Sequence, residues 1–167
     1  MTPAELLIDA VGRVRQGVDA VLDGISEDQL HHRVGPDANP IGWLVWHLTR
    51  VQDDHVADVA GREQVWTAER YADRFALPYD VADIGFGHSS DEVALLRAPE
   101  GLLREYHHAT HDRTVAYLRS VAGDDLDRVV DAAWDPPVTL GVRLVSVVND
   151  TTQHVGQAAY LRGLLSG

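Results

Sequence analysis

The feature that most constrains the fold is a set of four stretches in which apolar residues recur at alternating spacings of three and four. This spacing places the apolar side chains along one face of an α-helix. The fourth stretch is the longest, with Leu140, Leu144, Val147, Thr151, His154, Ala158, Leu161 and Leu165 on one stripe. Strand-like alternation is nearly absent. The pattern therefore predicts an all-α fold, a four-helix bundle.

Capping residues and helix breakers predict the bounds of these helices. Thr2 and Glu5 have the spacing of a capping box around a proline at the first helical position. Glycine or proline lies near most of the other expected ends. The predicted bounds are Pro3 to Gly24, Pro40 to Gly61, Pro99 to Gly123 and Thr139 to Leu165, with short helical turns at 26–29 and from Ser90.

The connection between the second and third predicted helices, residues 62–90, has no helical periodicity. A connection of this length is unusual unless it contains short helices or covers a functional site. It carries five aromatic residues, Trp66, Tyr71, Phe75, Tyr79 and Phe86. We expect this crossover to act as a lid whose aromatics line a pocket.

Composition excludes several classes of function. The 167 residues contain no cysteine, so a disulfide framework, a cysteine zinc cluster and a catalytic thiol are absent. The net charge of −12 argues against a nucleic-acid groove, which needs basic clusters. The sequence shows no signal-peptide pattern and no apolar run near the length of a membrane span. We expect one soluble, cytoplasmic domain covering residues 1–167.

The two polar residues Asp150 and His154 interrupt the fourth apolar stripe. They are four residues apart and so lie on nearly the same face of the helix. Burying a carboxylate and an imidazole there is costly unless they bind each other, a cation or a third polar group.

The second predicted helix offers a third polar group, His47, at the edge of its apolar stripe, with Asp54 seven residues further along that edge. His47, Asp150 and His154 would form a two-histidine, one-carboxylate set with open coordination positions, as used for catalytic zinc and ferrous iron. A structural histidine with no metal is the alternative.

Other histidines compete for the metal assignment. His107 and His111 have the same spacing of four, but the charged residues around them favour a solvated helix face. His31 and His32 are expected at the surface, and His88, in "GFGHSS", belongs to the crossover and is a candidate for the lid.

Two segments, "NPIGWLVWHLTRVQDDH" and "VTLGVRLVSVVNDTTQHVGQAAYLRGLL", resemble the DinB-like metalloprotein superfamily. Within it they are similar to the mycothiol-dependent branch, which includes mycothiol S-transferases and the metal domain of maleylpyruvate isomerase. The resemblance covers nearly the whole chain and implies a single four-helix bundle, often dimeric. It also implies a divalent metal held by His47, Asp150 and His154. Many relatives have His or Glu in place of Asp150.

The function implied by this resemblance is a metal-dependent thiol transferase or isomerase. A divalent metal, expected to be zinc, would activate a mycothiol-like thiol for attack on an electrophilic small molecule. Arg50 and Arg143 are candidates to contact the polar groups of that thiol. We expect no nucleic-acid or membrane partner, and the family allows a homodimer. The alternatives are a metal-dependent small-molecule hydrolase and a metal-free binding or stress-associated helical bundle.

Overall fold

The structure is a computed structural model that describes residues 1–166. Within this range the four long helices are α1 (Pro3–Leu22), α3 (Ile41–Ala60), α7 (Glu100–Leu118) and α8 (Leu140–Leu165). The shorter helices are α2 (Glu27–His31), α4 (Val65–Ala68), α5 (Tyr71–Phe75) and α6 (Ser90–Leu95). A 3₁₀ turn (Gly123–Asp127) and two short strands, β1 (Val129–Asp131) and β2 (Val138–Thr139), connect α7 to α8.

The four long helices pack as a closed ring. Both α1 and α3 contact α7 and α8, which places α1 and α3 on opposite corners of the bundle. The start of α1 has the predicted capping box, with Thr2 and Glu5 satisfying each other's backbone N–H groups. The predicted all-α fold is confirmed.

Helix α3 lies at the centre of the fold. Every residue from Ile41 to Asp53 is buried, because α7 and α8 pack on two sides and the crossover covers a third. Full burial of a side chain such as Trp46 contributes about 1.5–3 kcal/mol. A polar side chain on α3 therefore has to find its hydrogen-bond partners inside the protein.

The connection from α7 to α8 differs from the prediction in two ways. Helix α7 ends at Leu118 rather than Gly123, because Ser120 and Val121 bond to carbonyls three residues back and tighten the chain. The antiparallel pair β1 and β2 was not predicted. Strands this short cannot show a recognisable alternation.

The crossover contains α4 and α5, so it is not a structureless loop. Three of its aromatics, Trp66, Tyr71 and Phe75, pack against Tyr106 of α7. They fill the core between the crossover and the bundle. In residues 1–166 no helix combines the length and the apolar character required to cross a membrane.

Candidate metal centre

The fold brings the three predicted ligands together between α3 and α8. One ligand atom from each of His47, Asp150 and His154 lies within 4.8 Å of the others. The two histidine rings meet edge to face, with centroids 4.8 Å apart. His47 is buried, whereas the side chains of His154 and Asp150 are 19% and 35% exposed. The expected core position of His154 is thus corrected: the site lies at the edge of the bundle, open to solvent.

The orientation of His47 is fixed by two contacts. Its Nδ1 lies 2.5 Å from the carbonyl oxygen of Ile84, which can only accept, so Nδ1 carries the proton. The ring also stacks on Trp43, with centroids 4.6 Å apart. Nε2 is left as the unprotonated nitrogen, the arrangement found in metal-binding histidines whose other nitrogen donates to a carbonyl. Burial lowers the pKa of His47 and favours this neutral ring.

His154 and Asp150 provide the other two donors. Nδ1 of His154 lies 2.9 Å from Oε1 of Gln157, and Nε2 lies 3.6 Å from Oδ2 of Asp150. The neighbouring carboxylate raises the pKa of His154. The other oxygen of Asp150, Oδ1, is buried without a hydrogen-bond partner in the described chain. A buried carboxylate oxygen with no donor is costly, and a cation beside it would remove that cost, so the residues present fit a divalent ion.

A loop of the crossover, residues 83–88, is fastened to one face of α3. The indole N–H of Trp43 donates to Nδ1 of His88 (3.2 Å), and Nε of Arg50 donates to the carbonyl of Asp83 (3.2 Å). The bond from His47 to the loop lies between these two. Three positions on successive turns of α3 therefore hold the loop in place.

The loop is also braced internally. Nε2 of His88 lies 2.8 Å from one carboxylate oxygen of Asp83, and the backbone N–H of Gly85 donates to the other at 2.7 Å. Gly85 has a φ of +87° and lies so close to α3 that a Cβ there would be 2.9 Å from Nδ1 of His47. The close approach of loop to ligand helix requires glycine at this position.

A cavity of about 220 Å³ opens beside the three ligands. It lies between α3, α8 and the crossover, and its lining residues are His47, Val51, His55, Ile84, Phe86, Ser146 and Asp150. Phe86 is the one crossover aromatic in this lining. The prediction that all five aromatics line the site is wrong, because Trp66, Tyr71 and Phe75 fill the core and Tyr79 packs against Trp46 and His88.

Replacement of Phe86 by alanine should change turnover and leave stability unchanged. The side chain is 90% exposed at the cavity, so its loss should alter the free energy of unfolding by less than about 0.5 kcal/mol. If the cavity takes an electrophile, as the resemblance implies, kcat/KM for apolar electrophiles should fall several-fold while metal content stays unchanged. Phe75→Ala is the control, since loss of this buried ring should lower the free energy of unfolding by about 3–5 kcal/mol. An unaltered kcat/KM in Phe86→Ala would contradict the hypothesis that the crossover acts as a lid.

The two candidate arginines differ in position. Arg50 was a candidate to contact the thiol but is fully buried. Its guanidinium donates to Gln64, Tyr106 and the Asp83 carbonyl and packs over the ring of Trp66. It supports the crossover and is not at the mouth. Arg143 contacts His55, which lines the cavity, and its contact with a thiol stays a prediction.

The rival pair, His107 and His111, is buried in α7 and does not form a solvated face, contrary to expectation. Nδ1 of His107 lies 3.0 Å from the hydroxyl of Thr49, and burial lowers the pKa of His107 to about 3. In residues 1–166 the pair has no third ligand within reach, because the group of His47, Asp150 and His154 is the one cluster of three suitable side chains. Both pairs have a spacing of four residues, so the spacing alone could not show which pair belongs to the ligand cluster.

The remaining candidates have structural partners. Asp54 accepts a hydrogen bond from Gln64 and lies outside the ligand cluster. His32 is exposed as expected, but His31 is partly buried and contacts the carbonyl of Ala98, so its expected surface position is corrected.

Sequence reasoning missed His55, Gln157 and the loop contacts to α3. His55 was read as one position of an apolar stripe. The glycines of "GFGHSS" were the available signal for a close approach of the loop. A backbone carbonyl such as that of Ile84 has no signature in the sequence.

The chain is similar to a known family and to a solved structure. The family model of mycothiol-S-transferase matches residues 6–167. A crystal structure of a conserved protein from Enterococcus faecalis is similar to this chain, with a TM-score of 0.89 and 29% sequence identity over 97% of this chain and 96% of that chain. No curated protein matches the sequence.

Proposed function

Because the chain belongs to the mycothiol-S-transferase family, we propose that it is a divalent-metal-dependent transferase or isomerase. Its cosubstrate would be a mycothiol-like thiol, and its substrate an electrophilic small molecule. We further propose that His47, Asp150 and His154 hold the metal and that the metal is zinc. The observation that carries the metal assignment is the buried Oδ1 of Asp150, which has no hydrogen-bond partner in residues 1–166 and lies in one cluster with the rings of His47 and His154.

Each residue has a distinct part in this proposal. Asp150 and two neutral histidines carry a total charge of −1, so a divalent ion bound there would keep a net positive charge. The chemistry that such an ion would supply is a lowered pKa of the bound thiol and a stabilised thiolate. The Ile84 carbonyl keeps His47 in the tautomer that presents Nε2. Val51 and Phe86 line the cavity with apolar surface against which the electrophile would pack.

The absence of cysteine fits a reaction in which the nucleophile arrives with the cosubstrate. The thiol would lose its proton to solvent and its sulfur would form a bond to the electrophilic carbon. The electron pair of the bond that breaks at this carbon would pass to the leaving group or, in an addition, to the conjugated carbonyl oxygen. No side chain of this protein needs to form a covalent intermediate.

Protein purified without chelator should contain close to one divalent ion per chain and should consume thiol in the presence of a generic electrophile. Chelation should abolish thiol consumption and lower the melting temperature, because an ion that binds only the native state stabilises it. At a hundred-fold excess of free ion over Kd the stabilisation is about 2.7 kcal/mol. For a protein of this size it corresponds to roughly 5–10 °C. Elemental analysis, a thiol assay and thermal unfolding provide the measurements.

Re-addition of zinc to the chelated protein should restore activity and serves as the control. Full activity in metal-free protein would contradict the proposal. If the metal is present but the electrophile is consumed without loss of thiol, the protein is a hydrolase. A protein that contains no metal and melts identically with and without chelator would be the metal-free binding bundle.

A further inference from the structure

The cavity beside the ligand cluster has two polar ends joined by an apolar middle. His47, Val51 and His55 follow one another at intervals of four on α3, and Ser146 and Asp150 do so on α8. Eight residues separate His47 from His55, which is about 12 Å along the helix axis. The ligand cluster forms one end and His55 lies at the other.

His55 is oriented by a chain of charged residues. Its Nδ1 lies 2.9 Å from Nη1 of Arg143, whose Nη2 donates to Asp131 of β1 at 3.2 Å. An arginine can only donate, so Nδ1 of His55 must be the accepting, unprotonated nitrogen. Burial and the neighbouring guanidinium lower the pKa of His55, which favours the neutral ring, and the contact with Arg143 then places its proton on Nε2.

Nε2 of His55 is free for a ligand. It makes no hydrogen bond to any atom of residues 1–166, and it is not sealed from solvent. The side chain is 29% exposed and lines the cavity. His55 lies outside the cluster of possible metal ligands. The ring therefore offers a fixed N–H donor to whatever occupies the cavity between it and the ligand cluster.

We propose that His55 is a substrate-binding residue whose Nε2–H donates a hydrogen bond to an oxygen acceptor on the electrophile. The site would thus select small electrophiles that carry a carbonyl oxygen several bonds away from the carbon attacked by the thiol. This inference rests on the proposed thiol transfer and adds the substrate class to it.

The reaction step balances without a further reactant. When the thiolate adds to a carbon conjugated with a carbonyl group, a C–S bond forms and the π electrons shift to the carbonyl oxygen. The N–H of His55 stabilises the charge that develops on that oxygen. The resulting enolate then takes a proton from solvent, equivalent to the one that the thiol released.

The test compares two electrophiles of similar size with the same thiol, phenyl vinyl ketone and benzyl bromide, the second of which has no carbonyl. Loss of one fixed donor to a developing oxyanion lowers turnover by about 10²-fold. We expect kcat/KM of His55→Phe to fall by roughly this factor for the ketone and by less than about 3-fold for the bromide. His55→Gln, which keeps an N–H donor, should recover part of the loss.

A second measurement does not depend on turnover. Calorimetric titration with the thioether product of the ketone should show about 10-fold weaker binding to His55→Phe, since a hydrogen bond of about 1.4 kcal/mol is lost. Titration with the thioether product of benzyl bromide should give the same affinity for His55→Phe and for the wild type. Metal content and melting temperature identify a folded variant, and His32→Phe, at an exposed position, is the matched control.

Three results would overturn the inference. An equal loss for both electrophiles would make His55 a structural residue, and Arg143→Gln should then reproduce that loss. A raised KM for the thiol with unchanged electrophile preference would assign Nε2 to the cosubstrate. Unchanged kinetics and product binding would leave His55 without a role in the cavity. If wild-type protein consumes no thiol, the proposed function itself is wrong. This result is distinct from the three above, in which the wild type is active and only the role of His55 is wrong.

Discussion

His154→Ala should remove the metal ion and lower thiol-transfer turnover by about 10³-fold or more, because a metal stabilises the reacting charge by several kcal/mol. The substitution leaves Asp150 and His47 as two ligands, with the Oδ1 of Asp150 still lacking a donor. Elemental analysis and a thiol assay on the purified variant provide the measurement.

Stability should respond differently to His154→Leu. The leucine extends the apolar stripe of α8, so this variant should be close to neutral relative to the metal-free wild type. It should also be about 1–2 kcal/mol more stable than the alanine variant, which loses most of the contacts of this side chain. Activity should be lost in both variants, the pattern of a residue retained for function at a cost in stability. A leucine variant that is strongly destabilised yet active would show that His154 is structural.

His111→Asn is the control for the metal assignment. It alters the rival pair on α7, which has no third ligand, so metal content should not change. Metal that persists in His154→Ala but is lost in His111→Asn would mean that the other pair binds the ion.

Gly85→Ala should weaken metal binding although position 85 touches no metal. A Cβ there would lie 2.9 Å from Nδ1 of His47, 2.9 Å from Cζ3 of Trp46 and 3.0 Å from Cζ2 of Trp43. The loop would have to move away from α3, and the Ile84 carbonyl would move with it. Loss of the group that orients a metal-binding histidine lowers metal affinity by about 10–100-fold.

The same substitution should lower the free energy of unfolding by about 2–5 kcal/mol, through backbone strain at positive φ and overpacking. Gly87→Ala is a matched control in the same loop, with a φ of +77° but nothing within 4 Å of the added Cβ. Its free energy of unfolding should fall by about 1–2 kcal/mol, from backbone strain alone, and its metal affinity should be unchanged. Metal titration and thermal unfolding of both variants provide the measurements. Equal metal affinities in the two would refute the orienting role of the Ile84 carbonyl.

The bundle and the ligand cluster were predictable because both depend on local periodicity. An apolar stripe records which face of a helix is buried, and residues four apart on that stripe must share a face. Asp150 and His154 could therefore be placed beside each other from the sequence of α8 alone. His47 required only the further step that α3 packs next to α8.

The remaining features depend on partners that are distant in the sequence. Arg50 is buried because its acceptors come from the crossover, on Gln64 and Asp83. His107 is buried because Thr49 of another helix contacts its ring. Nothing in the neighbouring sequence of either residue reveals such a partner, so charge and polarity suggested exposure in both cases.

The distribution of the three ligands along the chain has a consequence for the order of events during synthesis. His47 leaves the ribosome about a hundred residues before Asp150, and contacts of such long sequence separation form late in folding. A nascent chain that ends before α8 has one of the three proposed ligands and would be unable to hold the ion. If these residues bind a metal as proposed, its uptake would belong to the final stage of biogenesis, after the last helix has docked against α3.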